Sequence, residues 1–191
     1  LMGKRLNVFG TTLRRTPLYQ LQKEAGGRFV DFHGWDLPVQ FSGILKEHEA
    51  VRRACGLFDV SHMGQVWLTG KDALALVQKT NANDAARLKD GQAMYSHMLN
   101  ERGGIVDDVI VTRFGPERFF VVVNAATREK DVAWLRRHAA GLSVEVKDDS
   151  DAMGMVALQG PNAKEVIDAV APGAAALERF GGLEARVWGE D

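Results

Sequence analysis

Gly103-Gly104-Ile105-Val106-Asp107-Asp108-Val109-Ile110-Val111 is a β-branched run that opens on two glycines and is broken in its middle by two adjacent carboxylates. Glycine takes positive φ at no steric cost, so Glu101-Arg102-Gly103-Gly104 reads as a chain reversal between two strands. Working outward, strands are predicted at residues 92–100, 105–114 and 118–124, the last two joined through Gly115-Pro116-Glu117. These three form an antiparallel meander. A further strand is predicted at 64–69, and a helix over 127–140 packs on the sheet through Val132, Leu135 and Ala139.

The flanks add helices. Thr16-Pro17 supplies a side-chain acceptor at an N-cap and a preset φ at the first helical position, with Leu18, Leu21 and Ala25 as the buried face and Gly26-Gly27 as the stop. A second helix is predicted over 42–55, where Ile44, His48, Val51 and Cys55 recur at helical steps. His48 on that face reads as a packed core residue rather than a ligand. A strand at 155–158 leads into a helix opening at Gly160-Pro161, with Val166, Ile167 and Val170 inward. Runs of strands with few crossovers indicate an α+β fold of antiparallel sheets with flanking helices. L-x-G-x-x-A occurs at 68–73 and again at 158–163, each at a strand end opening a helix; duplication and chance both explain a match this short.

With 24 Lys and Arg against 25 Asp and Glu, the formal charge is −1, so the basic footprint of a nucleic-acid binder is missing. No stretch reaches the roughly 18 apolar residues of a membrane span. Cys55 stands alone and the five histidines show no HExxH-type pairing, which leaves no disulfide framework and no expected metal site. Residues 1–15 hold Lys4, Arg5, Arg14 and Arg15 without an acid, as a short mobile tail does. Fingerprints for dinucleotides, P-loops and hydrolase elbows are absent. Asp59, Ser61 and His62 offer triad residue types, but neighbours on an extended chain diverge and cannot form a relay.

The Asp pair is the strongest anomaly, because Asp is disfavoured in strands. Successive strand residues point to opposite faces, so Asp107 and Asp108 occupy different environments. A carboxylate against apolar walls is a good acceptor for a ligand N–H; the bland alternative is an edge charge plus a hairpin cap. Residues 31–38 and 58–64 combine aromatic, sulfur and turn residues without a period, as pocket-lining loops do.

Thr16-Pro17-Leu18-Tyr19, Phe32-His33-Gly34-Trp35-Asp36-Leu37-Pro38, Gly56-Leu57-Phe58-Asp59-Val60-Ser61-His62-Met63-Gly64, Gly103 to Asp108, Val123-Asn124-Ala125-Ala126 and Ala157-Leu158-Gln159-Gly160-Pro161 closely resemble, in order, the aminomethyltransferases, or T-proteins, of the glycine cleavage system. The resemblance implies a folate-binding fold and a tetrahydrofolate-dependent enzyme. Such an enzyme takes a methylene from the aminomethyl-lipoyl arm of the H-protein, passes it to tetrahydrofolate and releases ammonia. It places Asp108 beside the reactive pteridine nitrogens as the catalytic residue, with Met63, Tyr95, Ile110, Val122 and Asn124 around the folate. Ile110 and Val122 also fit ordinary sheet core, and Asp107 is expected as a structural or supporting acid. Thr112 departs from the Tyr that some members carry there.

Members run to nearly twice 191 residues, so the fold is expected to be incomplete at its C-terminus, with a first-domain strand interrupted at Trp188-Gly189-Glu190-Asp191. The expected organisation is a tail at 1–15, a discontinuous first subdomain at 16–60 and 149–191, and a second at 61–148. Unfinished edges predict association or poor solubility. The expected partners are tetrahydrofolate and lipoylated H-protein, with neither nucleic acid nor membrane. The short basic N-terminus points to the cytoplasm, and to the mitochondrial matrix in a eukaryote. The rival readings are a dimethylglycine- or sarcosine-type folate domain, a methyl-sulfonium demethylase, a non-catalytic folate-binding module and a purely structural β-domain.

Overall fold

The computed structural model describes residues 5–7 and 9–187. Its elements in chain order are α1 (Tyr19–Glu24), β1 (Arg28–Phe32), β2 (Trp35–Gln40), α2 (Ile44–Arg53), β3 (Gly56–Asp59), β4 (Gly64–Thr69), α3 (Ala73–Thr80), β5 (Gln92–Leu99), β6 (Ile105–Gly115), β7 (Arg118–Val123), α4 (Arg128–Ala139), β8 (Glu145–Asp148), β9 (Val156–Gln159) and α5 (Ala163–Val170). They divide into two compact units. The first takes the chain up to His62 plus Met153–Pro172; the second takes Met63–Ala152 and the residues from Gly173 on. No helix of the described residues is long and apolar enough to cross a membrane.

The second unit is organised by a five-stranded antiparallel sheet in the order β5-β6-β7-β4-β8. Strand alternation sends Val66, Leu68, Met98, Val109, Val111, Phe119, Val121 and Val123 to one face, where Leu76 and Val77 of α3 and Val132 and Leu135 of α4 cover them. The other face carries Trp67, Tyr95, Asp108, Ile110, Phe120 and Val122, none of them buried, together with Gln65 and Thr112, which are. The predicted meander and the helix on it are therefore present, within a residue or so at each end. The β5–β6 turn is held by Asn100, whose Oδ1 accepts from the main-chain N–H of Arg102 and of Gly104, both at 2.9 Å, while Gly103 takes φ +77°. Four-residue β8 was missed, because Glu145-Val146-Lys147-Asp148 is too short and polar to stand out.

Residues 173–187 were expected in the first subdomain, but those near Gly181 join the second unit. Gly181 bridges Gln92, Ala93 N–H donates to Phe180 O at 2.7 Å, and Arg118 makes a two-pronged ion pair with Glu184. Edge strand β5 is thereby partly capped, and Gly182 lies over Thr112. The expected interruption at 188–191 lies outside the described residues.

In the first unit, β1 and β2 form a hairpin where a pocket-lining loop was expected. His33 and Gly34 both take positive φ, 50° and 86°, as a two-residue primed turn requires. Residues 58–64 likewise include part of β3, which pairs antiparallel with β9. The expected mobile tail is also corrected. Residues 13–15 dock on the hairpin, with Leu13 buried and Arg14 bonded through its main chain to Gly34 and Asp36, and Arg5 Nη1 is 2.6 Å from the buried Asp36 Oδ1.

The helices of this unit do not bury the faces that their periodicity suggested. Helix α1 starts after Leu18, and Thr16 does not cap it with its side chain: that hydroxyl donates to Asp59 Oδ2 at 2.6 Å. Leu21 is 64% exposed and Leu45 on α2 84%, His48 is exposed, and neither α2 nor α5 has a buried residue. Leu21 of α1 and Ala50 and Val51 of α2 instead line an open cleft of about 580 Å³ with Pro38, Phe41, Leu57 and Val156.

Each unit contains the same strand-turn-helix step. Gly70 between β4 and α3 has φ +135° and Gly160 between β9 and α5 has φ +128°, and each accepts from the alanine N–H three residues on. A Cβ at Gly70 would stand 2.4 Å from Ser143 O, and one at Gly160 2.3 Å from Ala54 O, so only glycine fits either turn.

Candidate functional site

The uncovered sheet face gathers most of the residues singled out from sequence. In register across β5, β6 and β7, Tyr95 lies opposite Ile110, and Ile110 opposite Val122. Their side chains share one face because strand residues of matching parity do. Tyr95 is 47% exposed and Ile110 40%, which separates them from the sheet core on the helix side. Asp108 precedes Ile110 by two residues on the same face, and Tyr95 Oη donates to its Oδ2 at 2.9 Å. That bond holds the phenol neutral and raises its pKa above the ordinary value, with partial desolvation and the nearby carboxylate charges acting in the same direction.

Asn124 lies just past the end of β7. Its Nδ2 is 3.2 Å from both Asp108 O and Asp108 Oδ1, and 3.0 Å from Asp107 Oδ1. Met63 is half-buried in the turn entering β4, beside Gly64, which pairs with Val123 at the same end of the sheet. Thr112 is largely buried further along β6, near Gly182.

Asp107 points to the helix side, as the strand period requires. Its carboxylate accepts from Thr127 Oγ1 at 2.7 Å as well as from Asn124, so the residue at the N-cap of α4 spends its hydroxyl on Asp107 rather than on its own helix. Burial raises the Asp107 pKa, but hydrogen bonds involving Asp131, Thr127 and Asn124 outweigh it and hold the group below the ordinary range. Asp131, on the first turn of α4, was not singled out from sequence. It is fully buried, and its pKa is raised to about 7 by burial first and by Asp107 second. The one available signal was its position four residues after Thr127, one helical turn away on the same side.

Two of the dismissed triad types are otherwise engaged: Ser61 Oγ bonds the Met155 main chain, while Asp59 accepts from Thr16 and Gln22. Among the described residues no group of three or more His, Cys, Asp or Glu is placed to hold a metal ion.

The arrangement is therefore an exposed carboxylate with a phenol and an amide fixed on it, at the end of an apolar sheet face. A family model described as the GCVT N-terminal domain matches residues 18–187. The chain belongs to that family. It is 52% identical over 179 residues to an aminomethyltransferase of Rubrobacter xylanophilus, covering 93% of this chain and 48% of that protein. An aminomethyltransferase of Bacillus subtilis is 49% identical over 155 residues, covering 81% of this chain and 42% of the relative. Among solved structures, the glycine cleavage system aminomethyltransferase T from Bartonella henselae superposes with a TM-score of 0.83 at 38% identity, over 92% of this chain and 48% of that one. A heterotetrameric sarcosine oxidase from Corynebacterium, at 20% identity and TM-score 0.54, shares the fold. The GCVT chain described here thus spans about half the length of the aminomethyltransferases it matches.

Proposed function

We propose that this GCVT domain is the tetrahydrofolate-binding part of an aminomethyltransferase of the glycine cleavage system. The whole enzyme would take the methylene from the aminomethyl-lipoyl arm of H-protein, pass it to tetrahydrofolate and release ammonia. One observation carries the reading: the exposed Asp108 carboxylate, held by Tyr95 and Asn124, stands at the end of a row formed by the exposed Tyr95 and Ile110 and the half-buried Val122. A flat heterocycle fits an apolar sheet face, and a polar edge of that heterocycle fits the carboxylate.

Tetrahydrofolate supplies the nucleophilic ring nitrogen that receives the methylene. Asp108 accepts a hydrogen bond from the folate and stabilises positive charge developing on the transferred carbon. Tyr95 and Asn124 fix the carboxylate in place, and Ile110, Val122 and Met63 provide apolar walls.

The test is anaerobic titration of tetrahydrofolate into the chain and its Asp108→Asn variant, followed by heat or by intrinsic tryptophan fluorescence, to which Trp67 on the same face contributes. Binding by the chain with an affinity loss of about tenfold in the variant is expected, the size of a hydrogen bond to a charged group. Absence of binding by a chain whose circular dichroism shows it folded would overturn the assignment.

A further inference from the structure

The Asp131 carboxyl is fully buried and makes no well-formed hydrogen bond to an N–H or O–H donor, the donors beside it being Thr127 Oγ1 and, 3.5 Å away, Lys130 Nζ. The Asp131 main-chain N–H donates to Thr127 O at 2.9 Å while Thr127 Oγ1 is bonded to Asp107, which brings the two carboxyls to the same spot, and each shifts the other's pKa. Two ionised carboxylates have no proton to share and repel at such range, so this contact needs a proton between them. Asp107 already accepts from Thr127 Oγ1 and Asn124 Nδ2, bonds that favour its ionised form and still leave it a lone pair to accept with. The proton therefore belongs to Asp131, which donates it to Asp107.

We propose that Asp131 is a positioning residue for the folate site: as a neutral carboxylic acid it anchors Asp107, and through Asn124 it fixes the Asp108 carboxylate on the opposite face of the sheet. This rests on the assignment of Asp108 to the folate site. Asn124 Nδ2 is the link, because it reaches both Asp107 Oδ1 and Asp108 Oδ1. Loss of the Asp131 proton to solvent sets two negative charges against each other behind that amide and weakens its placement.

The groups facing Asp131 are few. From β6 there is Asp107; from α4 and its N-cap there are Lys130 and Thr127. The Lys130 ammonium is 3.5 Å from Asp131 Oδ1 and favours the ionised form, as does the start of the helix. Yet Lys130 is half exposed and donates to Val106 O, so solvent screens it. Burial and the Asp107 charge prevail, and Asp131 changes state near pH 7.

The experiment has two readouts on the 191-residue chain. The first needs no folate: carboxyl ¹³C and side-chain amide ¹⁵N resonances are followed against pH in the chain and in Asp131→Asn. One aspartate carboxyl is expected to titrate near pH 7, with the Asn124 amide shifting in the same step and both changes absent from the variant. An Asp131 carboxyl that titrates in the ordinary range, or an Asn124 amide blind to its titration, overturns the proposal. The second readout is tetrahydrofolate affinity. It should fall about fivefold as pH rises through 7 in the chain and stay flat in Asp131→Asn, whose amide keeps a donor toward Asp107 without a titrating proton. An identical pH dependence in both proteins also overturns it. Absence of folate binding at every pH, with the resonance changes as expected, would remove the folate assignment while leaving the shared proton established.

Discussion

Tyr95 Oη stands 2.9 Å from Asp108 Oδ2, joining adjacent strands β5 and β6 on the uncovered face of the sheet. The phenol is a donor only while protonated, so its ionisation is displaced to higher pH. In a spectrophotometric titration, one tyrosine should ionise above the usual range, and Asp108→Asn should return it towards the ordinary value. The linkage has a definite sign: the bond stabilises the fold below the unfolded tyrosine pKa and is lost as pH rises through the folded one. Two tyrosines ionising together in the unsubstituted chain would contradict the bond.

The carboxylates on the helix side give the chain a two-sided stability profile. Burial pushes the Asp148 pKa up, but hydrogen bonds from Ser150 and Arg128 outweigh it and leave the group below the ordinary range. Its contribution is present above the unfolded carboxylate pKa and disappears as pH falls through the folded value. Asp131 acts oppositely. Its folded pKa is raised, so stability declines as pH climbs from the carboxylate range to about 7. Urea unfolding across pH should show both slopes, and Asp131→Asn should abolish the upper one alone.

Arg128 is buried between β8 and α4, with Nε 2.9 Å from Asp148 and its two Nη atoms on Asp151. Arg128→Ala leaves the largely buried Asp148 without its cation and should cost about 3 kcal/mol. Arg128→Lys should recover only part, because a single ammonium cannot span both carboxylates. Equal unfolding midpoints for the three proteins would show that the network contributes nothing.

Leu21, Leu57 and Phe58 are exposed around the apolar cleft of the first unit, and Leu45 is exposed on its helix α2. An apolar surface of that kind drives self-association. Sedimentation velocity of the chain should show species heavier than the monomer at raised concentration, and Leu45→Lys should reduce them without lowering stability. A sharp monomer at all concentrations would refute the expectation.

Reading from the sequence succeeded where the signal is local. Gly103-Gly104 announces a turn, and the two-residue strand period separates Asp107 from Asp108. Tyr95, Ile110 and Val122 are grouped in the sequence only through the family resemblance, because their sharing a face depends on cross-strand register. Reading failed where burial is decided by distant chain. The stripe Ile44, His48, Val51 marks a real helix, but nothing in its spacing says whether anything covers it. Asp131 looks like an ordinary polar residue on a helix, and its character depends on Asp107, 24 residues earlier and on another element. The β1–β2 hairpin escaped because Trp35, Pro38 and a histidine at positive φ do not resemble a regular strand pair.

The recurrent glycine turn has a use beyond the site. Gly70 and Gly160 belong to different units, and a methyl group at either collides with main-chain oxygen in its own unit alone. The same minimal chemical lesion can thus be delivered to one half of the chain or to the other. Comparing the unfolding curves of Gly70→Ala and Gly160→Ala distinguishes a molecule that melts as one cooperative body from one whose halves come apart in sequence.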